Sequence, residues 1–387
     1  MAHPTVFDTI VIGAGIFGLS TAVELARRGE RVAIVDRWGS GHAVTSSTGA
    51  SRSIRVAYDH PFYVALAEEA IAAWTMLARD TGRNILHLTG QIDLGPQAKL
   101  ASLQQHVRAA GLPIDFLDRA ELARLFPEMR LQAHEGALFH AQAGTVMAED
   151  GMLALGEAAV RAGIRIFAPE AVTDVACAAD GVVVTTSART LSAGRAVLSA
   201  GPWSGALLKK IGIDLPLAPA VAQVTFLDAP PLVDRPGIAE WAAIGEDGAG
   251  GGLYGHPVPG IGYKIAFDAG AEGWDGDVDG WAPDVAEEQR LLAWFETRFP
   301  GTPAKIARTQ RHPWTMTPDA DFIVDQAGGD WGDRLILACG CSGHAFKFGP
   351  ALGRLVADVA DGKPAELLRR DRPGLNASVT ATSPIIR

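Results

Sequence analysis

The chain is 387 residues long, 48% hydrophobic and 20% charged, with a formal net charge of −10. That size can bury a sizeable core and accommodates roughly two or three domains. The acidic balance disfavours nucleic acid and anionic membranes as partners, and no run approaches the ~18 uncharged apolar residues that span a bilayer.

Residues 1–8, MAHPTVFD, lack a basic start and a long apolar core, so no targeting segment is read and a cytoplasmic location is expected. Residues 9–36, TIVIGAGIFGLSTAVELARRGERVAIVD, then read as strand, glycine turn, helix, strand and acid. Gly13 permits the tight turn, Gly15 removes a side chain that would block a pyrophosphate, and Gly18 lets helix and strand approach closely. The helix N-terminus attracts phosphates, and Asp36 can accept hydrogen bonds from an adenosine ribose. Glycine spacing alone is a weak signal; the flanking strands and the acid make this a dinucleotide site without saying which dinucleotide.

Residues 37–48 read as an extended loop leading into Gly49-Ala50-Ser51-Arg52-Ser53-Ile54-Arg55. Tyr63, Leu66, Ala70, Trp74 and Leu77 recur at helical spacing over residues 61–79. Residues 86–95 read as a strand, 99–110 and 119–125 as helices, and 145–162 as a helix leading to a strand at 165–167. A hairpin across 171–188 turns at Ala179-Asp180-Gly181, and 195–203 is an apolar strand entering a second glycine turn. Alternating strands and many glycines mark 217–318, where one clear helix covers 284–299. A last apolar strand, 334–339, meets Gly340-Cys341-Ser342-Gly343-His344 and a helix over 350–360.

This pattern predicts an α/β protein: a discontinuous Rossmann-like nucleotide domain from residues 1–85, 145–216 and 319–387, and an α+β substrate domain with a mostly antiparallel sheet from 86–144 and 217–318. The three cysteines, Cys177, Cys339 and Cys341, are odd in number and lack metal spacing. They fit a reducing compartment, read as buried structural thiols, and leave no metal expected.

The order of motifs resembles the FAD-dependent D-amino acid oxidase superfamily, and within it the monomeric sarcosine oxidase and N-methyltryptophan oxidase group. The resemblance rests on VIGAGIFGLS with Asp36, SRSIRVAY, VLSAGPW, LYGHPVPGIGYKIAFD, WTMTPDADFIVD and GCSGHAFKFGPALG. It implies a glutathione-reductase-like FAD fold and, with FAD as the dinucleotide, an isoalloxazine lying between the two domains. The cofactor contacts it implies are Gly13, Gly15, Ile16, Phe17, Gly18, Asp36, Arg37, Ser46, Ser51, Arg52, Val172, Ala200, Gly201, Trp203, His312, Gly343, His344, Phe346 and Lys347.

Arg52 and Arg55 stand three apart among small and apolar residues. A guanidinium fork there suits a planar carboxylate or a flavin edge, with an ordinary ion pair as the alternative. By resemblance, Arg55 is the substrate-carboxylate ligand and Arg52 lies beside the flavin. Lys347, between Phe346 and Phe348, is the second cation on that carboxylate by resemblance, or else a snorkelling surface lysine. Lys264 matches a lysine associated with oxygen activation, its alternative being a solvated edge-strand lysine. Tyr254 and Trp314 are expected near the substrate amine, or as core packing. His344 belongs to a glycine turn suited to negative charge on reduced flavin, or is structural.

Two departures stand out. His312 occupies the place of the cysteine that attaches FAD covalently in the sarcosine oxidase group, so a cysteinyl link is excluded, a histidyl link stays open, and noncovalent FAD is preferred. Asp268 stands where sarcosine-type members carry histidine, which puts sarcosine itself in doubt. The expected partners are a small carboxylate-bearing amino acid, secondary or N-methyl, and O2, giving an imine and H2O2, in a monomer or weak homo-oligomer. The competing readings are an FAD-dependent dehydrogenase of proline-like or opine substrates with a quinone or protein acceptor, a flavin-binding protein without turnover, and a nicotinamide-dependent dehydrogenase.

Overall fold

The computed structural model describes residues 7–235, 237–245, 252–268, 272–274 and 282–378, so most of the N-terminal stretch read for a targeting signal lies outside them. Strand Phe7–Ile12 is buried along almost its whole length and pairs in parallel with Val32–Val35 on one side and Thr190–Leu198 on the other. Arg165–Phe167 extends the ladder beyond Val32–Val35, and Gly332–Cys339 adds in parallel to the far end of Thr190–Leu198. Antiparallel strands complete an eight-stranded sheet: Ile323–Gly328 on Gly332–Cys339, and the hairpin Val172–Ala178 with Gly181–Thr186 on the near end of Thr190–Leu198. Parallel strands covered on both faces explain the uninterrupted apolar runs in the sequence.

A second sheet of nine strands is antiparallel except where Gln91–Pro96 runs parallel to Glu240–Ile244. Helix Val285–Arg298, capped by the Asp284 carboxylate on Ala286 and Glu287 N–H, lies over one face with Phe126, Trp241, Phe295 and Phe299 in the core. A three-stranded sheet, formed by Ser51–Ile54, Leu86–His87 and Gly144–Met147, carries the Arg52 segment. Among the described residues no helix is long and apolar enough to cross a membrane.

Several local expectations are corrected. The single strand expected over 86–95 is two, Leu86–His87 and Gln91–Pro96, in different sheets, because Gly90 turns the chain at a positive φ of 84°. The helix expected over 145–162 starts at Ala148: Gly144–Met147 pairs with Ser51–Ile54, and Glu149 and Asp150 occupy the first helical turn, where acids favour a helix start. A short helix, Pro230–Val233, adds to the one expected within 217–318. Of the three thiols Cys339 is buried, Cys341 is partly covered and Cys177 is exposed, its strand lying in an outer hairpin.

Candidate active site

The turn after strand Phe7–Ile12 opens onto a cleft with about 1240 Å³ of empty space, open to solvent. Gly13 has a φ of 105°, and a Cβ on it would lie 2.4 Å from the Ser199 carbonyl oxygen. A Cβ on Gly18 would lie 1.8 Å from the Gly13 carbonyl oxygen, so the helix reaches the turn only with bare backbone there. Asp36 accepts from Ala14 N–H at 2.7 Å with one oxygen and from Trp38 and Gly39 N–H at 2.8 and 2.6 Å with the other. Its carboxylate therefore braces the turn as well as facing the cleft.

Gly15, Ile16, Phe17, Arg37, Ser46, Val172, Ala200, Gly201 and Trp203 line the same cleft. The buried Ser46 hydroxyl and Trp203 indole N–H meet no partner among the described residues, which suits a polar guest. Ser47, which the sequence did not single out, accepts from Ile16 N–H at 2.9 Å and ties the loop to the helix N-terminus. Glycine cradle, acid, helix end and bare polar atoms together fit an adenine dinucleotide.

A smaller pocket with about 650 Å³ of empty space, also open to solvent, holds Arg52, Arg55, Tyr254, Lys264, Asp268, Trp314, Gly343, His344, Phe346 and Lys347 together. Arg55 stacks over the Tyr58 ring at 4.3 Å and donates to the Ala57 carbonyl. Burial pulls its proton affinity down, and Tyr58, Asp93, Asp268 and Asp59 more than offset this, so the guanidinium stays charged. Lys347 approaches the Tyr58 ring at 5.9 Å; burial, then the Arg55 charge, pull its pKa down to about 7. Two buried cations that face one pocket prepare a site for a carboxylate, with Asp268 as an acid on the same lining.

Lys264 sits on an interior strand, Gly262–Phe267, paired on both sides, and is 2% exposed, which removes the edge-strand reading. Its Nζ donates to the Ser51 carbonyl at 2.8 Å, and that same carbonyl accepts Arg52 Nη1 at 2.8 Å. Arg52 also donates to the Ser46 and Thr48 carbonyls at 3.0 and 2.6 Å, so it clamps the loop that runs from the cleft to the pocket. The Trp314 indole N–H is buried and meets no partner among the described residues.

Other expected residues stand behind these walls. Ser51 places its hydroxyl 2.8 Å from His256 Nε2, and its carbonyl accepts from Lys264 and Arg52. His312 packs against Gly49, with Nδ1 3.4 Å from the Thr48 hydroxyl; burial, then Arg52 and Lys264, push its pKa down to about 3, so the imidazole is neutral. His344 borders the pocket and donates from Nε2 to the Ala320 carbonyl at 2.9 Å. Ser53, Gln91 and Ala242 also line the pocket and were missed in the sequence. The polar alternation of Gln91 and Asp93 within an otherwise apolar strand was the available signal.

A nucleotide cleft joined by one arginine-clamped loop to a second, smaller pocket suits a dinucleotide-dependent oxidoreductase acting on a small molecule. Comparison with known proteins agrees: residues 8–359 match the FAD dependent oxidoreductase family, and the chain belongs to it. It is a sarcosine oxidase-like flavoenzyme. It is 31% identical to a monomeric sarcosine oxidase of Streptomyces avermitilis over 92% of this chain and 93% of that one. A monomeric sarcosine oxidase of a Bacillus species is 28% identical over 98% of this chain and 99% of that one, and an N-methyl-L-tryptophan oxidase of Yersinia pestis 28% over 93% and 96%. The fold matches NikD, an amino acid oxidase essential for nikkomycin biosynthesis, with a TM-score of 0.81 and 24% identity over 94% of this chain and 97% of that one. Glycine oxidase from Geobacillus kaustophilus matches with a TM-score of 0.78 and 23% identity over 95% and 98%.

The Gly18 contact yields a first expected result. Gly18→Ala forces its new Cβ into the Gly13 carbonyl, so the purified variant carries less than about a tenth of the wild-type FAD, a loss of roughly 1.4 kcal/mol or more in cofactor binding. Flavin absorbance per protein measures it, and a stoichiometric yellow variant would contradict it.

Proposed function

We propose that this enzyme oxidises the CH–NH bond of a small carboxylate-bearing amino acid, secondary or N-methyl, to an imine that water hydrolyses to a carbonyl compound and an amine, with O2 reduced to H2O2. FAD, held noncovalently along the glycine cleft, supplies the two-electron chemistry. Arg55 and Lys347 hold the substrate carboxylate and so fix which C–H bond faces the cofactor. Tyr254 and Trp314 shape the amine end, where the bare indole N–H offers a donor to the guest. Asp268 adds an acid near the amine, which favours a substrate other than sarcosine. Lys264 supplies positive charge where oxygen takes up electrons.

The observation that carries this reading is the meeting of Arg55 and Lys347, from opposite ends of the chain, in one buried pocket with Lys264. Anaerobic mixing of the holoenzyme with a panel of N-methyl, cyclic and primary amino acids tests it: one class bleaches the flavin, and air restores the colour with one peroxide per turnover. Bleaching by substrate with dye but not oxygen as acceptor would turn the assignment to a dehydrogenase, and no bleaching at all would remove it. Acid precipitation that releases the yellow colour into solution tests the noncovalent attachment against a link through His312.

Lys347 sets the pH dependence. Its pKa in the free protein lies at about 7, below the ordinary lysine value, so a carboxylate meets two cations below that pH. Above it, binding must recover a proton, and the Kd of a carboxylate lacking an amine rises about tenfold per pH unit. Titration of flavin absorbance with such an analogue between pH 6 and about 9 measures the slope. In Lys347→Met the slope disappears; a slope that persists there assigns it to another group.

A further inference from the structure

One transverse row of the nine-stranded sheet is polar across five strands and buried throughout. Register sets His140 opposite Gln91, Gln91 beside Glu240, and His256 opposite Lys264, with Trp241 opposite Gly255 bringing Glu240 next to His256. Glu240 is 1% exposed, His256 0% and Lys264 2%. The carboxylate clamp uses neither Glu240 nor His256, and an acid buried without a function is costly to keep.

Contacts link the row to the lysine. Glu240 Oε1 accepts the Thr145 hydroxyl at 2.6 Å and lies 3.2 Å from His256 Nδ1, which makes no hydrogen bond among the described residues. His256 Nε2 lies 2.8 Å from the Ser51 hydroxyl, and the Ser51 carbonyl accepts Lys264 Nζ. The other carboxyl oxygen, Glu240 Oε2, meets no donor among the described residues.

The charges around this pair are unequal. Burial first, then Arg52, press Lys264 towards its neutral form, and Glu240 is the acid that opposes them. Burial raises Glu240 to about 8, against the hydroxyls of Thr145 and Ser53 and the charges of Lys264 and Lys347. Tyr254 and Tyr263 also feel Glu240, and both stay neutral because burial raises them. His256 is neutral too, burial and then Lys264 and Arg52 lowering it.

We propose that Glu240 is the buried counter-charge of Lys264: a positioning residue, one strand beyond His256 in the same row, whose carboxylate form acts through space to favour the cationic lysine when an anion arrives over it. The inference rests on the oxygen-side role proposed for Lys264, and its test does not depend on turnover.

The probe is sulfite, an anion whose affinity for the FAD-loaded holoenzyme is read as loss of flavin absorbance and reports positive charge at the flavin. Glu240→Gln, which keeps the shape, raises the sulfite Kd about tenfold at neutral pH, the equivalent of one unit of proton affinity at the lysine. Thr145→Val, which withdraws the hydroxyl that favours the carboxylate form, moves the Kd in the same direction. Lys264→Met raises it as well, and adding Glu240→Gln to that variant changes nothing further. A sulfite Kd within about twofold of wild type in Glu240→Gln overturns the proposal, as does an equal effect of that substitution with and without Lys264. If Glu240→Gln does not hold FAD, an unchanged Kd in Thr145→Val overturns it instead. Failure of every amino acid to bleach the flavin, with the sulfite pattern intact, removes the proposed reaction and leaves the charge pair standing.

Discussion

Arg55→Met lowers kcat/KM for a carboxylate-bearing amine several hundredfold, an expected loss of about 3–4 kcal/mol. The magnitude follows from burial: Arg55 and Lys347 are 6% and 8% exposed, so a charge lost there is only partly replaced by solvation of the guest. The substrate carboxylate would then lie against Lys347 alone, whose own proton is held weakly because burial and the Arg55 charge depress it. Removing Arg55 relieves part of that depression, so Lys347 recovers some of the lost attraction and the total stays below that of an unpaired buried ion. The loss appears chiefly in KM, because the clamp holds ground state and transition state alike. Steady-state kinetics with the acid and with its uncharged amide separate the causes. The amide should be a poor substrate for wild type and no worse for the variant; an equal loss for both would mean that Arg55 supports the fold of the pocket and not the charge of the guest.

Lys264→Met slows reoxidation of the substrate-reduced enzyme by O2 by about 100- to 1,000-fold, while anaerobic reduction by the amino acid changes by less than about tenfold. A cation preorganised in a water-excluded site acts most strongly on the step in which negative charge develops beside it. Lys264, covered and anchored on the Ser51 carbonyl, meets that condition in its protonated form. Rapid mixing of reduced enzyme with oxygenated buffer gives one rate, and anaerobic mixing with substrate gives the other. A parallel fall in both would move Lys264 from the oxygen side to the substrate clamp.

The nucleotide cleft was legible in the sequence because its determinants are local. Gly13, Gly15, Gly18 and Asp36 fall within one strand–helix–strand unit, and the steric reasons for each glycine act over a few residues. The meeting of Arg55 and Lys347 in one pocket was legible only through family resemblance, since they are nearly three hundred positions apart and no periodicity connects them. Gln91, Ser53 and Glu240 escaped notice for a related reason. A polar residue on a strand reads as solvent-facing until the covering layer is known, and Gln91–Pro96 and Glu240–Ile244 lie inside their sheet with both faces covered. The split of 86–95 and the strand at Gly144–Met147 likewise depend on pairing partners far along the chain.

By itself, then, the amino-acid order determined a glycine-cradled dinucleotide unit, an apolar parallel ladder and a later antiparallel region, because backbone sterics and hydrophobic periodicity are properties of short segments. Only the tertiary structure decided that Arg55, Lys264, Trp314 and Lys347 share one pocket, and that Glu240 and His256 lie in register beside the lysine. Charge state is the deepest of these later decisions: whether a lysine holds its proton depends on the burial and the neighbours that four distant segments bring together, and no single segment carries that information.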